Sequence, residues 1–235
     1  FDANGALKEL ILPESLTTIE YCGIFIPTLE SLHIPANVNF IEDDAILCFH
    51  LQKITVDENN MHFIGDNGIL YTRDMTKMLV YPANHPEREL SIPETVTKIP
   101  SSLFIYSQNL VKLHISASVD EIYSTTSRTD AVKLAEITVD ENNTVFCSKD
   151  NVLFSKDMTK LYYYPPCRSG AEYKIPDSVI VLKELCFEES RNLRIIYMGK
   201  GITTCEIMPF VGSRVLEQVY FPGTLPEYLD EAFWT

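Results

Sequence analysis

The feature that most constrains this chain is that it repeats itself at two periods at once. The segment Leu7-Lys8-Glu9-Leu10-Ile11-Leu12-Pro13 returns 22 residues later as Leu29-Glu30-Ser31-Leu32-His33-Ile34-Pro35, and after 22 more as Leu51-Gln52-Lys53-Ile54-Thr55-Val56. Further copies run from Leu110 to Ile115, Leu134 to Val139, Leu193 to Met198 and Leu216 to Pro222. Shortened forms at Leu90-Ser91-Ile92-Pro93 and Tyr173-Lys174-Ile175-Pro176 bring the total to nine. A larger displacement of 83 residues carries Val56-Asp57-Glu58-Asn59-Asn60 onto Val139-Asp140-Glu141-Asn142-Asn143. The same offset carries Asp74-Met75-Thr76-Lys77 onto Asp157-Met158-Thr159-Lys160, and Tyr81-Pro82 onto Tyr164-Pro165. Blocks that match at one offset mark a duplicated unit, and short periods of this length mark a coil built turn by turn.

Within each copy the first, fourth and sixth positions are apolar and point into a core, while the intervening positions face outward, as strand alternation requires. Side by side, the segments predict a parallel sheet on one face of the coil, with neighbours about 4.8 Å apart. Proline at the end of a segment cannot donate to the ladder and stops the strand. A return arm then starts at Leu16, Val38, Val96 or Val179 and reaches Ile19, Ile41, Ile99 or Leu182. No turn can bury its apolar side alone, so stability comes from stacking. A single domain over residues 1–235, of about nine turns, is expected.

Two stretches, 57–89 and 140–172, interrupt the coil. Asp66-Asn67-Gly68 and Lys149-Asp150-Asn151 are turn signals, with Asn and Gly able to adopt positive φ. Each stretch therefore predicts a small antiparallel meander, expected to project from the coil and partly cover one edge. The segment 124–130 fits no repeat position and reads as a bulged or unstructured loop. The sequence stops at Thr235 in mid-turn, which leaves that turn's edge to be covered from elsewhere.

Composition narrows the function classes. With 46% apolar and 22% charged residues the chain is globular rather than disordered. Nineteen basic against 33 acidic side chains give a net charge of −14, the wrong sign for neutralising nucleic-acid phosphates or anionic lipid. No apolar run is long enough to span a bilayer. The first residues have no signal-peptide character, as expected if a leader has already been removed.

The pattern I-x-x-x-A-F…L-x-x-I-x-I-P-x-x-V resembles the BspA-like leucine-rich repeat, also found in a treponemal surface repeat protein. The meander, with Ile54-Thr55-Val56-Asp57-Glu58-Asn59-Asn60, Gly68-Ile69-Leu70-Tyr71 and Tyr81-Pro82, is similar to an insert common in Bacteroides members. Its second copy carries Ile137-Thr138-Val139 and Val152-Leu153-Phe154. The resemblance implies an α/β-type leucine-rich-repeat solenoid, predominantly β and coiled right-handed, with two inserted hairpin meanders. It also implies a non-catalytic, secreted or cell-surface binding protein whose partner is a host extracellular-matrix or cell-surface protein, or a glycan. The Ala-Phe pair of the family pattern stands at Ala232-Phe233, with Leu103-Phe104, Cys186-Phe187 and Ala45-Ile46 in its place elsewhere.

No catalytic constellation, cofactor motif or metal-ligand spacing is visible. There is no CxxC pair, and no histidine can be placed beside a cysteine as its base. His33 and His114 share the outward fifth strand position, and three strand spacings in one sheet put them roughly 14 Å apart, too far to share a metal. His50, His62 and His85 read as exposed loop histidines. The Asp57 and Asp140 segments lack EF-hand spacing and read as capped turns, with calcium ligation the weaker alternative. Cys22 and Cys186 occupy a small-residue slot of the return arm, with Cys205 at an equivalent place. Buried free thiols are the ordinary reading, and a Cys186–Cys205 bridge between adjacent turns is the one disulfide the spacing suggests. The best candidate surface is the outward column of the sheet. Ile195, Tyr197 and Tyr220 make an apolar and aromatic patch there, in line with Lys174, His33 and His114.

Overall fold

A computed structural model describes residues 7–123 and 132–223. The 124–130 segment, the Ala232-Phe233 pair and the turn at Thr235 lie outside the described residues. Front strands and return strands alternate along the chain: β1 (Glu9–Leu10), β2 (Thr18–Ile19), β3 (Ser31–Ile34), β4 (Phe40–Ile41) and β5 (Lys53–Val56). The antiparallel strands β6 (Phe63–Asp66), β7 (Ile69–Thr72) and β8 (Met78–Val80) follow. A second run contains β9 (Glu89–Ser91), β10 (Lys98–Pro100), helix α1 (Ser102–Tyr106), β11 (Lys112–Ile115), β12 (Glu121–Tyr123) and β13 (Glu136–Val139). A second antiparallel set, β14 (Phe146–Lys149), β15 (Val152–Ser155) and β16 (Lys160–Tyr163), comes next. The last described elements are β17 (Glu172–Lys174), β18 (Val181–Leu182), β19 (Ile195–Tyr197), β20 (Thr204–Cys205) and β21 (Gln218–Tyr220). The architecture is predominantly β: among the described residues α1 is the only α-helix, so the expected α/β character reduces to a single five-residue turn of helix.

Two compact units divide these elements. One comprises Phe1–Arg88, Pro93–Leu110 and Ser118–Val132; the other comprises Glu89–Ile92, Val111–Ala117 and Lys133–Thr235. In the first unit β1, β3 and β5 form a parallel sheet in which Leu10 lies beside Leu32 and Leu32 beside Ile54. Leu32 and Ile54 are buried, as are Leu29, Ile34, Val38 and Leu51 of the same turns. In the second unit β9, β11 and β13 place Leu90, Leu113 and Ile137 in one row, and β17, β19 and β21 do the same with Tyr173, Ile196 and Val219. Each of these inward rows is a ladder of apolar residues one turn apart. Each fully buried Leu or Ile contributes about 1.5–3 kcal/mol relative to leaving it in water.

The front strands do not form one continuous sheet. They fall into three three-stranded sheets, and a hairpin meander follows the last strand of the first two. The Ile54 amide donates to Gly68 O at 2.8 Å, and Gly65 packs against the backbone of Ile54 and Thr55, so the first hairpin occupies the edge of β5. In the second unit the Val139 amide donates to Ser148 Oγ at 3.1 Å, and the second hairpin occupies the edge of β13. Nor do the meanders project. Lys77 bridges Lys98 in parallel, and β16 pairs with β18, making a five-stranded sheet β14-β15-β16-β18-β20. The third strand of each meander is thus a return strand. Met78, Leu70, Leu161 and Leu153 are fully buried, and that apolar content would be lost to water if the meander stood away from the coil.

The duplicated motifs are the joints of this arrangement. Asn60 and Asn143 have no exposed surface. Asn60 Nδ2 donates to Pro35 O (2.8 Å) and Val38 O (2.9 Å), while its Oδ1 accepts from the His62 and Phe63 amides (2.9 and 2.8 Å). Asn143 Nδ2 donates to Ser116 O at 2.9 Å, and its Oδ1 accepts from the Val145 and Phe146 amides. An asparagine amide alone has two donors and two acceptor sites at this reach. The preceding aspartates accept from the Asn59 and Asn142 amides at 2.8 Å, the capped turn expected of them. The tight turns of the hairpins have positive φ at both central residues, 46° and 80° at Asn67-Gly68 and 52° and 65° at Asp150-Asn151. A register shift falls at Leu70/Tyr71 in one meander and at Leu153/Phe154 in the other, again 83 residues apart.

A side chain closes each hairpin turn from outside. His85 is buried rather than exposed as its loop position suggested. Its Nε2 lies 2.8 Å from Asn67 O. At the matching place in the second unit Arg168 Nε donates to Asp150 O at 2.7 Å, and its guanidinium lies over the Tyr164 and Tyr173 rings.

The second meander turn is closed by aspartate. Asp157 Oδ1 accepts from Ser155 Oγ (2.6 Å), the Thr159 amide (3.0 Å) and Thr159 Oγ1 (2.8 Å), which lowers its carboxyl from the ordinary 3.8 to about 2. Two consequences can be measured. Replacing Asn60 or Asn143 by alanine orphans several buried backbone groups and is expected to cost about 2–4 kcal/mol in urea unfolding, whereas Asn59→Ala costs less than about 1 kcal/mol. Because Asp157 binds its proton less readily when folded, its contribution is complete above about pH 4 and is lost as the pH falls toward 2. Asp157→Asn is therefore expected to lower Tm at pH 6 while flattening the Tm-versus-pH curve below pH 4.

Candidate functional site

The outward columns of the three front sheets carry the candidate residues, and the sheet breaks decide which of them can act together. His33 lies on the central strand of the β1-β3-β5 sheet, and its Nδ1 is 2.9 Å from Thr55 Oγ1 on β5. His114 lies on the central strand of the β9-β11-β13 sheet, with Nδ1 2.9 Å from Thr138 Oγ1 on β13. The two histidines belong to different sheets, so the spacing expected for a continuous sheet does not apply to them. Each instead makes the same local pair with a threonine one turn on. Beside His114, Lys112 sits between Glu89 (3.4 Å) and Glu136 (3.9 Å), an exposed ion-pair ladder worth no more than about 1 kcal/mol.

Lys174, Ile195, Tyr197 and Tyr220 do share one sheet. Lys174 is in register with Tyr197 and Tyr197 with Tyr220, while Glu172, Ile195 and Gln218 form the adjacent column. The Tyr197 and Tyr220 rings stack with centroids 5.0 Å apart and an interplanar angle of 11°. Tyr220 OH donates to Gln218 Oε1 at 2.9 Å. The Tyr197 phenol is pushed above its ordinary value, first by desolvation among its neighbours and then by the Glu172 carboxylate. Tyr197 is 37% and Tyr220 48% exposed, so the pair keeps part of its ring surface open to solvent while the facing ring planes cover each other. This surface can pack an apolar group against ring edges and hydrogen-bond through Glu172 and Gln218. Exposed Ile180, Ile207 and Val215 belong to the same unit, and their lone apolar side chains on short turns gave no periodic signal.

The cysteines were the other candidate group. The six cysteines are free thiols. Cys205 is in register with Leu182, so it does not stand at the place equivalent to Cys186 one turn on. Cys22 occupies a left-handed position (φ 53°) equivalent to Asp44 (57°), and Leu185 and Met208 take the same role in the second unit. Burial pushes the Cys48 thiol up to about 11 and raises Cys186 well above its ordinary value, so both are protonated at neutral pH. Among the described residues no group of three or more His, Cys, Asp or Glu side chains is placed to hold a metal ion. In the first unit a cavity of about 30 Å³ is lined by Ile46, Cys48, Phe49, Leu79, Tyr81 and Tyr106, space for about one water molecule rather than a ligand. No helix among the described residues is long and apolar enough to cross a membrane.

Comparison with known proteins bears on the fold. A family model described as a BspA type leucine rich repeat region matches residues 1–87, 83–157 and 156–235. A leucine rich cell surface protein from Faecalibacterium prausnitzii A2-165 is similar in structure over 90% of this chain and 53% of its own, with a TM-score of 0.61 and 21% identity. The pneumococcal vaccine antigen PcpA is similar over 90% of this chain and 43% of its own (TM-score 0.55, 24% identity). A leucine-rich repeat protein from Eubacterium ventriosum ATCC 27560 is similar over 87% and 57% (TM-score 0.55, 20% identity). The chain spans about half the length of these solved structures. No curated protein matches it. With a family match along nearly its whole length and leucine-rich ladders in each unit, the chain belongs to the BspA-type leucine-rich-repeat family.

Proposed function

We propose that this is a non-catalytic binding protein, secreted or held at the cell surface, that engages a host or community macromolecule in the manner of an adhesin. The partner is a host extracellular-matrix or cell-surface protein, or a glycan. The observation that carries the reading is the half-exposed Tyr197–Tyr220 pair beside Ile195, an aromatic group on a rigid sheet with Glu172 and Gln218 alongside. Tyrosines on a fixed scaffold supply contact area at little entropic cost. A surface location is supported by the structurally similar Faecalibacterium protein, a leucine rich cell surface protein, and by PcpA, a vaccine antigen. Lys174, in register with Tyr197, would add a cation at the rim. His33 and His114 belong to the other front sheets and stand outside this surface.

A second reading, a rigid spacer that displays other modules, is favoured by the stacking itself. The two rings cover each other and Tyr220 spends its hydroxyl on Gln218, as a purely structural ladder would. Binding to an array of matrix proteins and glycans separates the two. The intact chain is expected to bind at least one ligand saturably. The Tyr197→Ala/Tyr220→Ala double variant is expected to lose at least tenfold in affinity with a Tm change of no more than about 4 °C. Undiminished binding by that variant removes the tyrosine pair from the site, and no saturable binding anywhere on the array favours the spacer.

A further inference from the structure

The two clasps that close the hairpin turns do the same mechanical work with different chemistry. His85 Nε2, 2.8 Å from the Asn67 carbonyl, must be the protonated nitrogen, because a carbonyl only accepts. That leaves Nδ1 with its lone pair, and the Glu87 amide donates to it at 3.3 Å, with Tyr81 OH at 3.4 Å. The ring is 3% exposed and lies against Tyr81 at 5.1 Å between centroids. A proton added to Nδ1 would set one N–H against another inside a buried site. The equivalent clasp 83 residues on is Arg168, whose guanidinium is charged at every accessible pH and whose Nε donates to Asp150 O.

We propose that the first meander is latched by a proton-sensitive clasp, His85, which releases the Asn67-Gly68 turn as the pH falls, whereas the Arg168 clasp of the second meander stays closed. In the closed clasp Nε2–H is committed to the Asn67 carbonyl and Nδ1 faces the Glu87 amide, so a second proton meets an N–H there, a conflict that the open form relieves, and acid favours that form. The titratable groups around the clasp are Tyr81 and Glu87 on its own segment, Lys53 of β5 beneath Gly68, Asp66 of β6 leading into the turn, and Tyr71 of β7. Burial raises the Tyr71 and Tyr81 phenols, so neither changes charge on acidification. Release also loosens the Gly68 carbonyl from the Ile54 amide at the edge of β5.

Hydrogen exchange read by mass spectrometry on the intact chain, with intrinsic rates divided out, tests this. Peptides covering residues 63–72 are expected to lose up to tenfold in protection between pH 6.5 and 5.5, and those covering 146–155 none. His85→Arg, which installs the second unit's clasp, is expected to abolish the loss, and Arg168→His to transfer it to 146–155. If His85→Arg does not fold, His85→Gln takes its place, since its amide donates to the carbonyl without titrating. Equal protection of wild-type 63–72 at both pH values overturns the proposal, as does a loss that persists in the folded His85 variant.

Discussion

A strand of two to four residues, as the front and return strands here all are, cannot bury a side chain or satisfy its backbone without a neighbour. Everything else in the structure follows from that dependence. Each turn is stable only because the next places an apolar residue against it, so Leu32 needs Leu10 and Ile54, and Ile196 needs Tyr173 and Val219. Where the meanders intervene the dependence does not lapse. It is met by the hairpin turn at the edge of β5 and by the last meander strand, which takes up the pairing of a return strand.

The 83-residue duplication shows which parts of a turn are fixed by this requirement and which are free. A fully buried asparagine ties the start of each meander to an earlier turn, and an aspartate with a hydroxyl residue on either side closes the second meander turn, in both copies. The clasp on the hairpin turn is histidine in one and arginine in the other. Either can hand a proton to a carbonyl, so geometry tolerates the exchange, while the response to pH does not.

The outward faces are under no such constraint, and there the copies diverge most. His33 and His114 each pair with a threonine, whereas the third sheet carries lysine and two stacked tyrosines in the same column. A scaffold that spends its inward positions on stability leaves outward ones open to change, which is how one family fold can carry different surfaces.

The ladders, the return arms and the turn-forming role of the Asp-Glu-Asn-Asn segments were legible in the sequence, because apolar periodicity and turn chemistry are local signals. So was the membership of Tyr197, Tyr220, Ile195 and Lys174 in one sheet, which follows from counting turns. Three things were not. The front strands fall into three sheets, and the hairpins do not project because they carry buried residues such as Leu70 and Leu153. His85 is enclosed because a loop position in sequence becomes a core position once the hairpin folds back onto it. Cys205 stands beside Leu182 because the return strands end before Cys186, which lies in the following turn. The sequence by itself determined a repeating, stacked β architecture, since periodic burial admits few alternatives. Only the tertiary structure decided which outward residues share a surface, because that depends on where backbone hydrogen bonding between turns is broken.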